Sequence, residues 1–304
     1  MIVLIKHILP TLLLAAAFFT LAPAQVAPAQ VANDPQVSPT MQMALELAEE
    51  NYHATNFEAA LRIIEPGEPK IPGQWALIGK IYFQMGDYKK AIAAFEQATK
   101  AAPKSSPDWN WLGRAYGRQA ETGFKLAAFG NARKARDAFE KAVALDATNR
   151  EAVDDLFEYY LEAPGMLGGG EDKAAKLAET IRAKAPAKYE ALQARLAGKK
   201  KDVAAAERHW RKAAELSPGD AGAQVNLAKF LARNGKLAES DQLFEKALIT
   251  GKPSVKYERA RILAEGKRDI AKARQLLNEY LKADLTVDDP PRAEARKLLA
   301  SLSR

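Results

Sequence analysis

Residues 72–105 read PGQWALIGKIYFQMGDYKKAIAAFEQATKAAPKS, and their spacing decides the fold. Trp75, Ile78 and Tyr82 recur at i, i+3 and i+7, on one face of a helix. Ala91, Phe95 and Ala98 share a face of a second helix. Gly86 and Asp87 between them end the first helix and turn the chain. Pro103 stops the second. Gly79 and Ala91 are small, so the two helices can approach closely. One such pair cannot bury its apolar face alone, and neighbours must stack on it.

The same spacing returns along the chain. Leu47, Ala48, Phe57, Ala60 and Ile64 mark a unit at 41–71, and Trp109, Leu112, Gly113, Tyr116, Ala135, Phe139 and Ala142 mark one at 106–149. Units at 150–186, 187–220, 221–253 and 254–287 follow, centred on Leu156 and Ala174, Ala206 and Trp210, Leu227 and Phe244, and Tyr257 and Leu277. Asp289-Pro290-Pro291 opens a last helix that runs to Leu302, prolines being suited to a first turn.

With Met85-Gly86-Asp87-Tyr88 followed by Ala91-Ile92, the 72–105 unit resembles the tetratricopeptide repeat. The resemblance implies an all-α fold, a right-handed α-solenoid of tetratricopeptide helix pairs. About seven repeats would fill 41–287, six being the alternative, and a capping helix would lie within 288–304. Ala147 stands where proline is usual and Ser240 where alanine is usual. The pattern Tyr-Leu-Glu-Ala-Pro-Gly followed by Gly-Gly-Gly looks like a subgroup of exported bacterial tetratricopeptide-repeat proteins.

Composition agrees with helices. Hydrophobic residues make up 48%, dominated by alanine, and strand-like runs of Val, Ile and Thr are missing. The 45 basic and 38 acidic residues give +7, or +6 without Lys6, spread along the chain rather than gathered in the stripe that nucleic-acid binders show. The longest basic run, Lys199-Lys200-Lys201, falls on an expected loop and is read as solvated, so no nucleic acid is expected as partner. The chain has no cysteine, which excludes disulfides, thiolate ligands and a lipid anchor on an N-terminal cysteine.

Residues 1–24 fit an export signal. Lys6 and His7 supply positive charge, Ile8 to Leu21 form an apolar stretch, and Ala22-Pro23-Ala24 offers a cleavage site before Gln25, with Ala27-Pro28-Ala29 as a second. The alternative is an uncleaved leader acting as an inner-membrane anchor. Residues 25–40, rich in Ala, Pro and Gln, read as a disordered linker before a solenoid at 41–304. Periplasmic or secreted localisation is therefore expected.

Two insertions break the period. Tyr116 to Ala135 spans 19 steps where Tyr82 to Ala91 spans 9, and Tyr160 to Ala174 spans 14. Both should emerge on one edge of the solenoid, carrying Phe124, Phe129, Met166 and Leu167 as a binding edge or a self-packed lip.

Catalytic chemistry finds little support. Gly165 to Gly170 has the glycines of a phosphate loop, but Glu171 and Asp172 follow where Lys and Ser or Thr are needed. His53 and His209 lie in distant units, so no histidine metal cluster, catalytic residue or cofactor is assigned. Asp154, Asp155 and Glu158 read as a solvated acidic face. The family resemblance implies a concave groove lined by first helices, where a protein or peptide binds. Helical projection places Lys80, Gln84, Asn110, Arg114, Arg118, Arg195, Asn226, Lys229 and Arg233 on it, a basic groove with one acidic block. Asn110, Arg114 and Arg118 only partly resemble the lysine, asparagine and arginine clamp of chaperone-binding members. The expected role is a non-catalytic protein–protein interaction scaffold of the bacterial envelope. The alternatives are an assembly subunit of an envelope machine (secretion, pilus or cytochrome maturation) and a small-ligand carrier or enzyme on a helical scaffold.

Overall fold

The computed structural model describes residues 39–65, 71–123 and 125–302. The leader, most of the expected linker, and Phe124 lie outside them. The chain divides into two compact units, one ending at Lys184 and one starting at Ala185. The first holds α1 (Pro39–His53), α2 (Phe57–Ile64), α3 (Pro72–Gln84), α4 (Tyr88–Ala101), α5 (Ser106–Thr122), α6 (Lys125–Leu145), α7 (Arg150–Glu162) and α8 (Glu171–Ile181). The second holds α9 (Pro186–Lys199), α10 (Val203–Leu216), α11 (Ala221–Arg233), α12 (Leu237–Leu248), α13 (Pro253–Glu265), α14 (Ile270–Lys282) and α15 (Arg292–Ser301). All regular structure among the described residues is helical, and each unit is a stack of helix pairs.

Helix boundaries follow the capping chemistry. Asp87, Ser105, Asn149, Asp202 and Asp269 each accept a hydrogen bond from the backbone N–H three residues on. That side-chain oxygen satisfies a donor the helix itself leaves unpaired. Pro72, Pro186 and Pro253 occupy first positions, where a missing N–H costs nothing. No helix of the described residues is long and apolar enough to cross a membrane.

Each unit has its own core. Phe95, Phe139, Phe157 and Tyr159 are fully buried in the first, and Leu192, Leu231, Phe244, Leu277 and Tyr280 in the second. The close approach expected at glycine is real. A Cβ on Gly79 would sit 2.6 Å from the Phe95 ring, and one on Gly113 would sit 2.5 Å from the Phe139 ring. At the C-terminal end α15 lays Ala295, Leu298, Leu299 and Leu302 against the cluster of Tyr257, Leu277 and Tyr280. The Tyr280 hydroxyl donates to the Pro290 carbonyl and Arg292 to the Ala283 carbonyl at 2.7 Å, fixing the approach to that helix.

The structure corrects several expectations. The longer insertion is built into helices: α5 continues to Thr122 and α6 starts at Lys125 and runs 21 residues, so added residues lengthen both. The turn left between them is short, and the run of Lys, Ala and Arg after it is rich in strong helix formers. Leu47, expected in the core, is exposed, because no repeat precedes α1 among the described residues. α1 also begins at Pro39, inside the expected linker.

Candidate functional site

The first helices of the first unit carry an aromatic and charged cluster. Trp111 of α5 stacks on Phe95 and meets Phe83 edge-on, which holds its ring in place. Two cations lie over that ring from neighbouring helices: Lys80 of α3 with Nζ at 5.7 Å and Arg114 of α5 with its guanidinium carbon at 4.8 Å. Such contacts are worth about 0.5–2 kcal/mol each, more as the site dries. Arg114 donates from Nε to Asp155 of α7, and its Nη1 lies 3.1 Å from Glu151 of the same helix.

Asn110 adds a further bond, donating from Nδ2 to Asp155 Oδ2 at 2.9 Å. Its side chain is sealed, with 1% of the residue exposed. This corrects its placement as a groove contact: it serves Asp155 rather than a partner. Asp155 and Glu158 are buried as well, so the face read as solvated is largely internal. Burial pushes the Asp155 carboxyl up, while Arg114 and Asn110 pull it back. Burial likewise opposes the Arg114 charge, but Asp155 and Glu151 outweigh it and hold the guanidinium pKa above its ordinary value.

Arg118, one turn further, is also committed. Its Nη2 donates to the Tyr88 hydroxyl at 3.0 Å, its guanidinium lies over the Tyr88 ring, and Nη1 pairs with Glu121. Burial pushes the Glu121 carboxyl up to about 7, with Arg118 pulling the other way. Gln84 lies half-buried near the end of α3.

The second unit repeats the arrangement on α11 and α13. Lys229 Nζ lies 3.2 Å from Glu258, whose side chain is buried and also takes Arg261. Burial lowers the Lys229 pKa, and Glu258 opposes that shift. Arg233 makes three hydrogen bonds of 3.0–3.2 Å to Glu265, all exposed. Asn226 and Arg195 are half-buried. His209 meets Glu190 through Nδ1 at 2.6 Å.

The expected basic groove is therefore corrected. Cations of one first helix face carboxylates of the next, so Arg114, Lys229 and Arg233 do not form a free basic track. Sequence reasoning missed Trp111 and the acidic partners Glu151, Glu258 and Glu265, and read Asp155 as solvated where it is a buried partner of Arg114. A signal for part of this existed. Lys229 and Arg114 are the ninth residues of their helices, and Glu258 and Asp155 are the sixth of the following first helices.

The second insertion forms a closed turn. Gly165–Leu167 makes a single 3-10 turn, and the Leu167 carbonyl accepts from the Tyr159 hydroxyl at 2.9 Å and from Arg136. Lys173 donates to the Gly168 carbonyl at 2.8 Å. Gly168 needs its left-handed φ of 89°, and a Cβ on Gly169 would sit 1.8 Å from the Ala163 carbonyl oxygen. Leu167 is buried with Ala120 and Ala132, which corrects its place on a binding edge. Met166 and Phe129 remain exposed. No group of His, Asp and Glu able to hold a metal occurs among the described residues.

Two tetratricopeptide-repeat family models match the chain, over residues 75–105 and 191–255. No curated protein sequence matches it. Solved structures do. A tetratricopeptide repeat protein from Parabacteroides merdae aligns with TM-score 0.54 at 15% identity, over 88% of this chain and all of that one. A thermophilic TPR protein from Thermus thermophilus aligns with TM-score 0.50 at 19% identity, over 63% of this chain and 98% of that one. Human IFIT1, as a dimer with m7Gppp-AAAA, aligns with TM-score 0.52 at 15% identity, over 86% of this chain and 62% of that one. At these identities the likeness is one of fold.

Proposed function

We propose, from the premise that this chain is a tetratricopeptide-repeat protein, that it is an exported envelope scaffold. It holds a carboxylate-bearing segment of a protein partner on the first-helix face of its first unit. Repeats of this kind mark interaction scaffolds in general. The leader-like residues 1–24 support export.

One observation carries the choice of face: the ring of Trp111, fixed by Phe83 and Phe95, lies under both Lys80 and Arg114. The cations there differ in how readily they can change partner. Arg114 is anchored from below by buried Asp155, while its second carboxylate, Glu151, is 65% exposed. Exposed ion pairs are worth roughly 0–1 kcal/mol, so a partner carboxylate can displace Glu151 at little cost. Asp155, by contrast, is buried, and removing it would leave Arg114 with only the exposed Glu151. Lys80, Gln84, Trp111 and Arg114 thus contact the partner, and Asn110 and Asp155 hold Arg114 in place. No catalytic step is assigned to the cluster. Nucleic acid is left outside the proposal because the first-helix cations are largely committed to carboxylates.

The test is capture from an envelope extract by wild type and by Lys80→Glu/Gln84→Glu, substitutions away from the core. A partner held by wild type and lost by the variant supports the site. Capture that is equal for both removes this face from the function. Cell fractionation and N-terminal sequencing of the purified protein test export independently, and a cytoplasmic protein starting at Met1 would sink the envelope setting.

A further inference from the structure

The two ends of the chain's helical stacks are unlike, and each shows a face with something to match it. α1 corresponds residue by residue to α3 at an offset of 31, since Ala60 and Ala91 fall at the same place in α2 and α4. Met43, Glu46, Leu47 and Glu50 therefore take the places of Gln74, Leu77, Ile78 and Ile81. Those four residues are buried in α3, where α1 and α2 pack against that helix. In α1 the same four are exposed, Met43 at 68% and Leu47 at 50%. Among the described residues, this face is an inter-repeat surface without its repeat. It keeps two large apolar side chains and carries glutamates where α3 has Leu77 and Ile81. Glu49 adds a third exposed acid, and the only basic residue in the last turn is His53.

α15 offers a counterpart. Its inner face is used, with Ala295 buried and Leu298, Leu299 and Leu302 packed on the cluster beneath. Its outer face presents Ala293, Arg296, Lys297 and Ala300, all exposed. These also fall at i, i+3, i+4 and i+7. One face thus sets large apolar residues among acids, the other sets small alanines among bases, on the same helical spacing. Small residues let two helices approach closely, so Met43 and Leu47 have room to seat between Ala293 and Ala300. Glu46 and Glu50 then meet Arg296 and Lys297.

We propose that this protein associates head to tail with a second copy of itself, the outer face of α1 in one molecule packing on the outer face of α15 in the next. Two α1 faces pressed together would instead bring glutamates against glutamates. The upstream residues 25–38 contain no Lys or Arg to neutralise them. A contact between two different patches is heterologous, so it builds rings or open-ended chains rather than closed dimers. Its ionic part weakens with salt.

The experiment is sedimentation velocity on the purified protein over a wide concentration range, at low and at high salt. Wild type should sediment faster as concentration rises, and less so at high salt. Glu46→Lys/Glu50→Lys alone and Arg296→Glu/Lys297→Glu alone should each lose that concentration dependence. The chain carrying all four reversals should recover it. All four positions are exposed, and far-UV circular dichroism checks that each variant keeps its helices. A wild type that stays monomeric overturns the proposal. So does loss of association on reversing α1 with no effect from reversing α15, which would mean that α1 pairs with another surface. A four-residue reversal that fails to restore association also overturns it.

Discussion

Ser240→Ala should stabilise the second unit. The fourth residue of α2, α4, α8, α10 and α14 is Ala60, Ala91, Ala174, Ala206 and Ala273, and each is completely buried. Ser240 is the fourth residue of α12 and is equally buried. Its backbone N–H is used in the helix, donating to the Lys236 carbonyl at 3.1 Å, but its hydroxyl has no hydrogen-bond partner. A buried hydroxyl without a partner costs about 1–3 kcal/mol. Alanine also has the higher helix propensity, by up to about 0.5 kcal/mol. Against this stands the packing lost with one oxygen, a few contacts of about 0.1–0.2 kcal/mol each. The net gain is about 1–2 kcal/mol.

The assay is urea unfolding followed by circular dichroism, with amide exchange of α11 and α12 as a local readout, because repeat arrays do not always unfold as one step. The converse changes, Ala206→Ser and Ala273→Ser, should destabilise by a similar amount. A Ser240→Ala protein that is no more stable, with its fold unchanged, would refute the reasoning: the hydroxyl would then have to be satisfied, for instance by the Lys236 carbonyl.

Four further outcomes are expected. Gly113→Ala should destabilise the first unit by about 1–3 kcal/mol in urea unfolding, since its Cβ would press on the Phe139 ring and offset the propensity gain. Glu258→Ala, which removes a buried carboxylate and leaves half-buried Lys229 without its partner, should cost about 1.5–3 kcal/mol in the same assay, whereas Glu265→Ala, removing an exposed partner of Arg233, should cost under about 1 kcal/mol. Glu121 has a folded pKa near 7, above its unfolded value, so its contribution to stability is present in acid and is lost as pH rises toward and through 7. Comparing urea unfolding of wild type and Glu121→Gln at pH 5 and pH 8 should show the variant gaining relative to wild type at the higher pH. Gly169→Ala should disorder the turn after α7, because its Cβ meets the Ala163 carbonyl, and it should be read as faster proteolysis between Ala163 and Gly170.

The helical repeat was legible because it depends on local spacing. The faces of Trp75, Ile78 and Phe95, the close glycines and the turn residues follow from a 3.6-residue period and from side-chain size, and both are written in one stretch of chain. Ser240 stood out for the same reason, as a lone departure at a small-residue position. The paired charges were harder to see. Periodicity gives the face of a residue on its own helix, and it placed Arg114 and Lys229 on the first-helix face. It does not give what stands opposite, because Asp155 lies 41 residues beyond Arg114 and Glu258 lies 29 beyond Lys229, with a helix of variable length between. Counting residues also could not say whether an insertion would loop out or extend a helix. In α5 and α6 the helix formers won, and in the turn after α7 the glycines did.

That pairing changes what the first-helix face can select. A row of free cations would attract any acidic segment, and discrimination would come from side-chain fit alone. Here Arg114, Arg118, Lys229 and Arg233 each already have a carboxylate, so at these positions a partner gains only the difference between its contact and the one it displaces. Where the resident carboxylate is buried, as at Asp155 and Glu258, no exposed segment can win that exchange. Where it is exposed, as at Glu151, the difference is small in bulk charge and must be made up by something Glu151 lacks. Trp111 supplies it beside Arg114: a half-buried apolar ring, already held by Phe95, Lys80 and Arg114, that a partner side chain can flank next to its carboxylate. The second unit, with half-buried Lys229 on a buried carboxylate and Arg233 in an open three-bond pair, has no matching aromatic on α13 among the described residues that meets those cations. On the proposed reading, specificity is concentrated where an exchangeable ion pair and a fixed ring coincide, between α3, α5 and α7.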